Sequence, residues 1–235
     1  MATQVSRAKP FKGMGMEGAI AKWYASLTKK SMGDFKALAR RVAVQLSPGS
    51  SILEVAPGPG YFAIELAKLG GFQITGLDIS ETFVQIARAN AAEENVRVEF
   101  LHGNASAMPF DDNQFDFLLC RAAFKNFSEP IQALAEMHRV LKPGRQAVII
   151  DLRRDAPIES IEAAVDQMHV GSLNGVITKL TFRFMLLRRA YSKREFEEMI
   201  STTEFAHCDI REDLIGLEIV LRKAGTPIAK SQGSV

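Results

Sequence analysis

Apolar positions recur along this chain with two periods, and the alternation between them predicts the architecture. Ile20, Trp23, Tyr24 and Leu27 stand three and four residues apart, which predicts the apolar face of a first helix. Gly33 interrupts, and Asp34 is placed to cap a second helix whose inner face is Phe35, Leu38, Ala39, Val42 and Leu46. Ser47-Pro48-Gly49 ends it. Short apolar runs bounded by turns then alternate with helical stretches. Strands are predicted at 51–55, 73–77, 96–101, 115–120 and 146–151. Helices are predicted at 61–69, from Ser80 to about Glu94 with Phe83, Ile86 and Ala87 inward, and from Glu129-Pro130 to a stop at Leu141-Lys142-Pro143-Gly144. Strands separated by helices imply right-handed crossovers and a mostly parallel sheet covered on both faces.

After Asp151 the pattern changes. About 40 residues read as helical before Ser192 caps a helix through Met199. Strands at 204–210 and 214–221 lie so close in sequence that an antiparallel pair is the simplest arrangement. The expected organisation is an arm over 1–18, one α/β domain over 19–223 with an insertion at about 152–190, and a tail over 224–235.

Composition narrows the class. At 47% apolar and 24% charged residues, the 235-residue chain has enough core to fold as a globular domain. The balance of 29 basic against 27 acidic residues argues against a dedicated nucleic-acid binder. No apolar run approaches the roughly 20 residues of a membrane span, and the N-terminus lacks the apolar core of a secretory signal. Two cysteines fit a reducing compartment. The expectation is a soluble, cytoplasmic protein.

The chemistry concentrates at two predicted strand ends. Leu53-Glu54-Val55-Ala56-Pro57-Gly58-Pro59-Gly60 leads from the first strand into a helix, placing backbone N–H groups and a helix N-terminus beside a ligand. Gly58 and Gly60 allow close approach. Asp78 ends the second strand, where its carboxylate can accept from both hydroxyls of a ribose. An adenine nucleoside would then span the two strand ends. Gly58-Pro59-Gly60-Tyr61-Phe62-Ala63 also fits the dinucleotide fingerprint, with an acid 20 residues after its first glycine, so an NAD(P)-dependent oxidoreductase is one reading. Against it, Pro59 removes a donor from the loop that would hold a pyrophosphate. Glu54 suits a cationic amino acid better than a pyrophosphate.

With these residues in view, the chain resembles the class I S-adenosylmethionine-dependent methyltransferases, from about Ser51 to Leu221. The first motif is carried by 53–60 and the second by Gly76-Leu77-Asp78-Ile79-Ser80. The adenine-lining segment resembles 102–110, the fourth strand and its loop 115–124, and the turn into the fifth strand 138–144. Within the family, the ubiquinone/menaquinone-biosynthesis C-methyltransferases and their small-molecule relatives are most similar. Three positions depart from the pattern. Ala56 replaces a glycine, tolerable if its φ stays negative. Asn104 replaces an acid, and its amide oxygen can still accept from an adenine amino group. Arg145 replaces a glycine in a turn.

The resemblance implies a Rossmann-like, doubly wound sheet of about seven strands, mostly parallel with an antiparallel C-terminal strand, with extra N-terminal and lid helices. It implies S-adenosylmethionine as cofactor and S-adenosylhomocysteine as product. Glu54 would face the methionine ammonium. Ala56, Gly58 and Gly60 would line the methionine and ribose parts, and Asp78 would hold the ribose. Ile79, Asn104 and Ala105 would frame the adenine, and Arg121 would meet the carboxylate. Tyr24 or Trp23 would close over the cofactor.

Phe124, Lys125 and His169 are candidates for the acceptor pocket, and Asp151, His169 and Tyr191 for catalysis. Methyl transfer mainly needs alignment, so the sequence can show the cofactor site without naming a base. The motifs of amino-group and cytosine-C5 nucleic-acid methyltransferases are missing, as is a metal-binding carboxylate cluster. Four scattered histidines and two distant cysteines suggest no metal site. The expected acceptor is a small organic molecule. Val176, Leu180, Phe184 and Leu187, beside Arg183, Arg188 and Arg189, are read as a lid helix. A self-association face of a homodimer, or a contact for an anionic lipid-like acceptor, is the other reading of that stripe. A methyltransferase-like fold that binds the cofactor without methyl transfer is a third functional class.

Overall fold

The structure is a computed structural model that describes residue 12 and residues 15–157, 159–161 and 189–225. Seven strands form one sheet in the order β3-β2-β1-β4-β5-β7-β6. They are β1 (Ser51–Val55), β2 (Gln73–Asp78), β3 (Glu99–His102), β4 (Phe115–Arg121), β5 (Leu141–Leu152), β6 (His207–Glu212) and β7 (Gly216–Arg222). The first five run parallel, and β7 inserts antiparallel between β5 and β6. This is the expected mixed sheet with its terminal hairpin.

Strand character follows position in the sheet. β1 and β4, at the centre, are buried along nearly their whole length because both faces are covered, whereas β6, at the edge, buries none of its residues. Helices α2 (Met32–Ala43), α3 (Tyr61–Lys68) and α4 (Glu81–Glu93) cover one face. Helices α5 (Pro130–Val140) and α6 (Lys193–Ser201) cover the other. Pro130 enters α5 at its first turn, where no N–H is needed. Ser192 and Glu195 form a reciprocal capping box on α6.

Several expected details are corrected. Helix α1 (Gly18–Thr28) buries Ala21 and Ala25 rather than its large residues, and Ile20, Trp23 and Leu27 face solvent. Small side chains let α1 sit close to its neighbours, and the Tyr61 hydroxyl donates to the Ala25 carbonyl at 3.0 Å. Gly33 and Asp34 lie inside the first turn of α2, whose N-cap is Ser31. In α4, Val84 is buried and Ile86 only half-buried. Strand β3 begins at Glu99, three residues later than expected. β5 begins already at Leu141, which pairs with Phe115 before an irregularity at the Pro143-Gly144 turn. β6 and β7 are each displaced two or three residues toward the C-terminus at their starts.

The described part of the N-terminal arm is tied to the domain. Met16 accepts from the Ser80 hydroxyl at 2.6 Å, and Glu17 accepts from the Thr82 N–H at 3.1 Å. Lys12 donates its N–H to the Asn126 carbonyl at 2.7 Å. The expected lid helix over 175–189, apart from Arg189, lies outside the described residues, as does His169. No described helix is long and apolar enough to cross a membrane.

Candidate active site

The strand order reverses between β1 and β4, so helices leave these strands toward opposite faces and a crevice opens at their carboxyl ends. The residues at that edge are Glu54, Ala56 and Gly58 after β1, Asp78 at the end of β2, Arg121 and Ala122 at the end of β4, and Asp151 near the end of β5.

Glu54 lies in the middle of the sheet, in register with Gly76 on one side and Leu119 on the other. Its N-cap neighbour Gly60 offers α3 no side chain, and the Glu54 carboxyl accepts instead from the Ala63 N–H at 3.1 Å. It thus satisfies an amide in the first turn of the helix. Burial pushes its pKa up to about 8, against the opposing effects of that N–H and of the Arg121 charge. At neutral pH the carboxyl is therefore mostly protonated.

Asp78 joins two loops. One oxygen accepts from the Gly58 N–H and the other from the Ser80 N–H, each at 2.9 Å. Ser80 in turn caps α4 by accepting from the Phe83 N–H. Burial raises Asp78 to about 6, and the two N–H groups counter the rise. A Cβ on Gly58 would meet nothing within 4 Å, so the loop beside Asp78 borders open space. Gly60 differs. A Cβ there would lie 2.7 Å from the Phe100 ring, so this glycine serves packing and a φ of 79° rather than a ligand.

Arg121 forms no hydrogen bond or ion pair among the described residues. Its guanidinium rests on the Phe35 ring, 4.5 Å from the centroid. Tyr24 stacks edge-on against Phe83, and burial raises its phenol pKa against the influence of the Arg121 charge. The arrangement brings Tyr24, Glu54 and Arg121 into one electrostatic neighbourhood. Ile79 is half-buried, and its carbonyl lies 3.0 Å from His102 Nε2. Asn104 and Ala105 form a tight turn in which the Asn104 amide oxygen accepts from the Ser106 N–H at 3.0 Å.

The candidates for acceptor binding and catalysis fare differently. Phe124 is fully buried among Phe127, Tyr191 and Phe196. Lys125 and Asp151 bind each other: the ammonium donates to the carboxylate at 2.7 Å and to the Ala122 carbonyl at 2.6 Å. The Lys125 and Leu152 N–H groups complete the set around Asp151. Such a carboxylate is held rather than offered as a base. The Tyr191 hydroxyl accepts from Lys12 Nζ at 2.5 Å. Phe35 and Lys12 were missed as contributors from sequence. Phe35 read as core, and Lys12 reaches a residue 179 positions away.

Two alanines at this edge adopt left-handed backbone, Ala56 at φ 56° and Ala122 at φ 58°. The condition under which alanine would cost little at 56, a negative φ, is thus not met, and a glycine would be the relaxed choice there.

Residues 53–149 match the family described as a methyltransferase domain. The demethylmenaquinone methyltransferase of Chlorobaculum tepidum is 36% identical over 135 residues, 57% of this chain and 54% of that protein. The chain spans about half the length of the curated relatives it matches. A Methanococcus maripaludis protein, proposed as an S-adenosyl-L-methionine-dependent methyltransferase, superposes with a TM-score of 0.70. That match covers 92% of this chain and 98% of the other at 19% identity. A plantazolicin methyltransferase, solved with a desmethyl substrate analogue and SAH, superposes with a TM-score of 0.66. That match covers 87% of this chain and 89% of the other at 17% identity. These likenesses are of fold, and the shared fold is the mixed seven-stranded sheet expected from the sequence.

Two outcomes test this geometry. Ala56→Gly should raise the unfolding free energy by roughly 0.5–1 kcal/mol, the left-handed penalty less the entropy of glycine, measured by denaturant titration. Glu54 has a folded pKa above its unfolded value of 4.5, so the folded state holds its proton more tightly and stability falls as pH rises from 4.5 to about 8. Glu54→Gln, which keeps an acceptor for Ala63, should flatten that part of the pH–stability curve.

Proposed function

We propose that the chain transfers a methyl group from S-adenosylmethionine to a small organic acceptor. The observation that carries this reading is the proximity of a buried acid, Glu54, to a guanidinium, Arg121, that has no ion-pair partner among the described residues, beside the open Gly58 loop. An amino-acid zwitterion matches both. Glu54 would accept from the ammonium and Arg121 would donate to the carboxylate. Asp78 would hold the ribose hydroxyls through lone pairs not used by Gly58 and Ser80, while Ile79, Asn104 and Ala105 would border the adenine. Tyr24 would lie over the amino-acid end. The residues present therefore fit the group. An NAD(P) pyrophosphate fits less well, because Pro59 offers no donor and Glu54 would face negative charge.

When bound, S-adenosylmethionine supplies a methyl group on a cationic sulfur, so alignment of the acceptor dominates the catalytic demand. The chain's part is to bind, orient and exclude water. The Lys125–Asp151 pair fixes the loop after β4 to the end of β5, on the side of the crevice left for the acceptor. The relatives' name supports an acceptor of the demethylmenaquinone type. The family match ends at residue 149, before the segment expected to select the acceptor. A homodimer remains part of the proposal only through the 175–189 stripe of the sequence.

Calorimetric titration tests the reading. S-adenosylmethionine and S-adenosylhomocysteine should both bind saturably and NAD(H) should not. Asp78→Asn should weaken both at least tenfold, since a hydrogen bond to a charged group contributes roughly 1.5–3 kcal/mol. Binding of NAD(H) alone would overturn the assignment. Tight cofactor binding without methylation of any acceptor would favour a methyltransferase-like fold with another activity.

A further inference from the structure

Helix α1 carries a surface that the cofactor site does not use. Ile20, Trp23 and Leu27 are 36%, 65% and 45% exposed. At 3.6 residues per turn they fall within an arc of about 60°. Tyr24 lies on one shoulder of that arc, towards Phe83. On the side away from Tyr24, Lys30, in the 3-10 turn that follows α1, adjoins the stripe, and Lys22 and Lys29 lie about 100° or more further round; all three are exposed. Residues 18–31 contain no acidic side chain, and among the described residues none of these lysines forms an ion pair. The inner face is anchored through Ala21, Ala25 and the Tyr61 hydroxyl, so the apolar stripe cannot turn inward without breaking that contact.

We propose that α1 docks the protein on an anionic lipid surface, with Ile20, Trp23 and Leu27 entering the interface and Lys22, Lys29 and Lys30 meeting the headgroups. Charge and shape select this occupant. An unpaired cationic side beside an apolar stripe is the pattern of a helix lying in a membrane interface. Tryptophan favours that depth because its ring is apolar and its N–H stays near water, and lysine stems are long enough to carry the charge outward. A protein partner is less suited. A stable interface buries about 800 Å² on each side, more than three side chains on one convex helix present. The docking stands on α1 alone. Only its use in meeting a lipid-soluble acceptor rests on the proposed function, since Tyr24 of the same helix borders the candidate site.

Trp23 is the sole tryptophan, so its fluorescence reports on this surface directly. Vesicles of phosphatidylglycerol and phosphatidylcholine should shift its emission to the blue and carry the protein into the pellet, and added salt should reverse both. Replacing Lys22, Lys29 and Lys30 by glutamine should weaken binding by about 100-fold, given the attraction expected per lysine. Ile20→Ser with Leu27→Ser should also abolish sedimentation, with thermal unfolding showing that each variant is folded. No shift with anionic vesicles, or an equal shift with phosphatidylcholine alone, would overturn the proposal. So would a concentration-dependent shift without lipid, which would assign the stripe to a second copy of the chain. None of these readouts depends on methyl transfer or cofactor binding.

Discussion

The functional edge depends on one topological constraint, the reversal of strand order between β1 and β4. A right-handed crossover after β1 sends the chain to one face, and the connection after β4 sends it to the other. The two connections therefore part at the carboxyl ends of these central strands, leaving a gap between them. Glu54 and Arg121 lie at that gap because Val55 and Cys120 are paired in register just before it. The rest of the site is built around the same opening: Asp78 ties the first loop to the second strand's helix, and Lys125–Asp151 ties the fourth strand's loop to the fifth.

The edge is costly to the fold in ways that a ligand can relieve. Glu54 sits in a low-dielectric environment that favours its protonated form, and Arg121 carries a charge with an aromatic ring beneath it but no carboxylate partner among the described residues. Two non-glycine residues hold left-handed backbone where β1 and β4 end. Strain and perturbed acids gathered at one edge are features that support the proposed site. The same groups have structural duties. Glu54 satisfies an amide of α3, and Asp78 closes the glycine loop, so removing either side chain would loosen the scaffold as well as the site.

Much of this was legible in the sequence, for physical reasons that vary by element. β1, β2 and β4 read clearly because buried parallel strands are mostly apolar runs between turns. Strand ends were less legible: β5 starts at Leu141 because its pairing with Phe115 precedes a turn that sequence reads as a stop. In α1 the helical period was right and the buried face wrong, since close approach favoured Ala21 and Ala25 over larger neighbours. Glu54 and Asp78 were found from their places relative to the glycines. The bonds that occupy Lys125, Asp151 and Tyr191 were not, because those partners lie far apart along the chain.

In the proposed site a protonated Glu54 would receive the ammonium of S-adenosylmethionine and ionise in doing so. Calorimetric titration at pH 7, repeated in buffers of different ionisation enthalpy, measures the protons exchanged on binding. The account predicts release of about one proton, fading as pH rises above about 8 and lost in Glu54→Gln. Binding with no proton release at pH 7, or with the same release in Glu54→Gln, would contradict it.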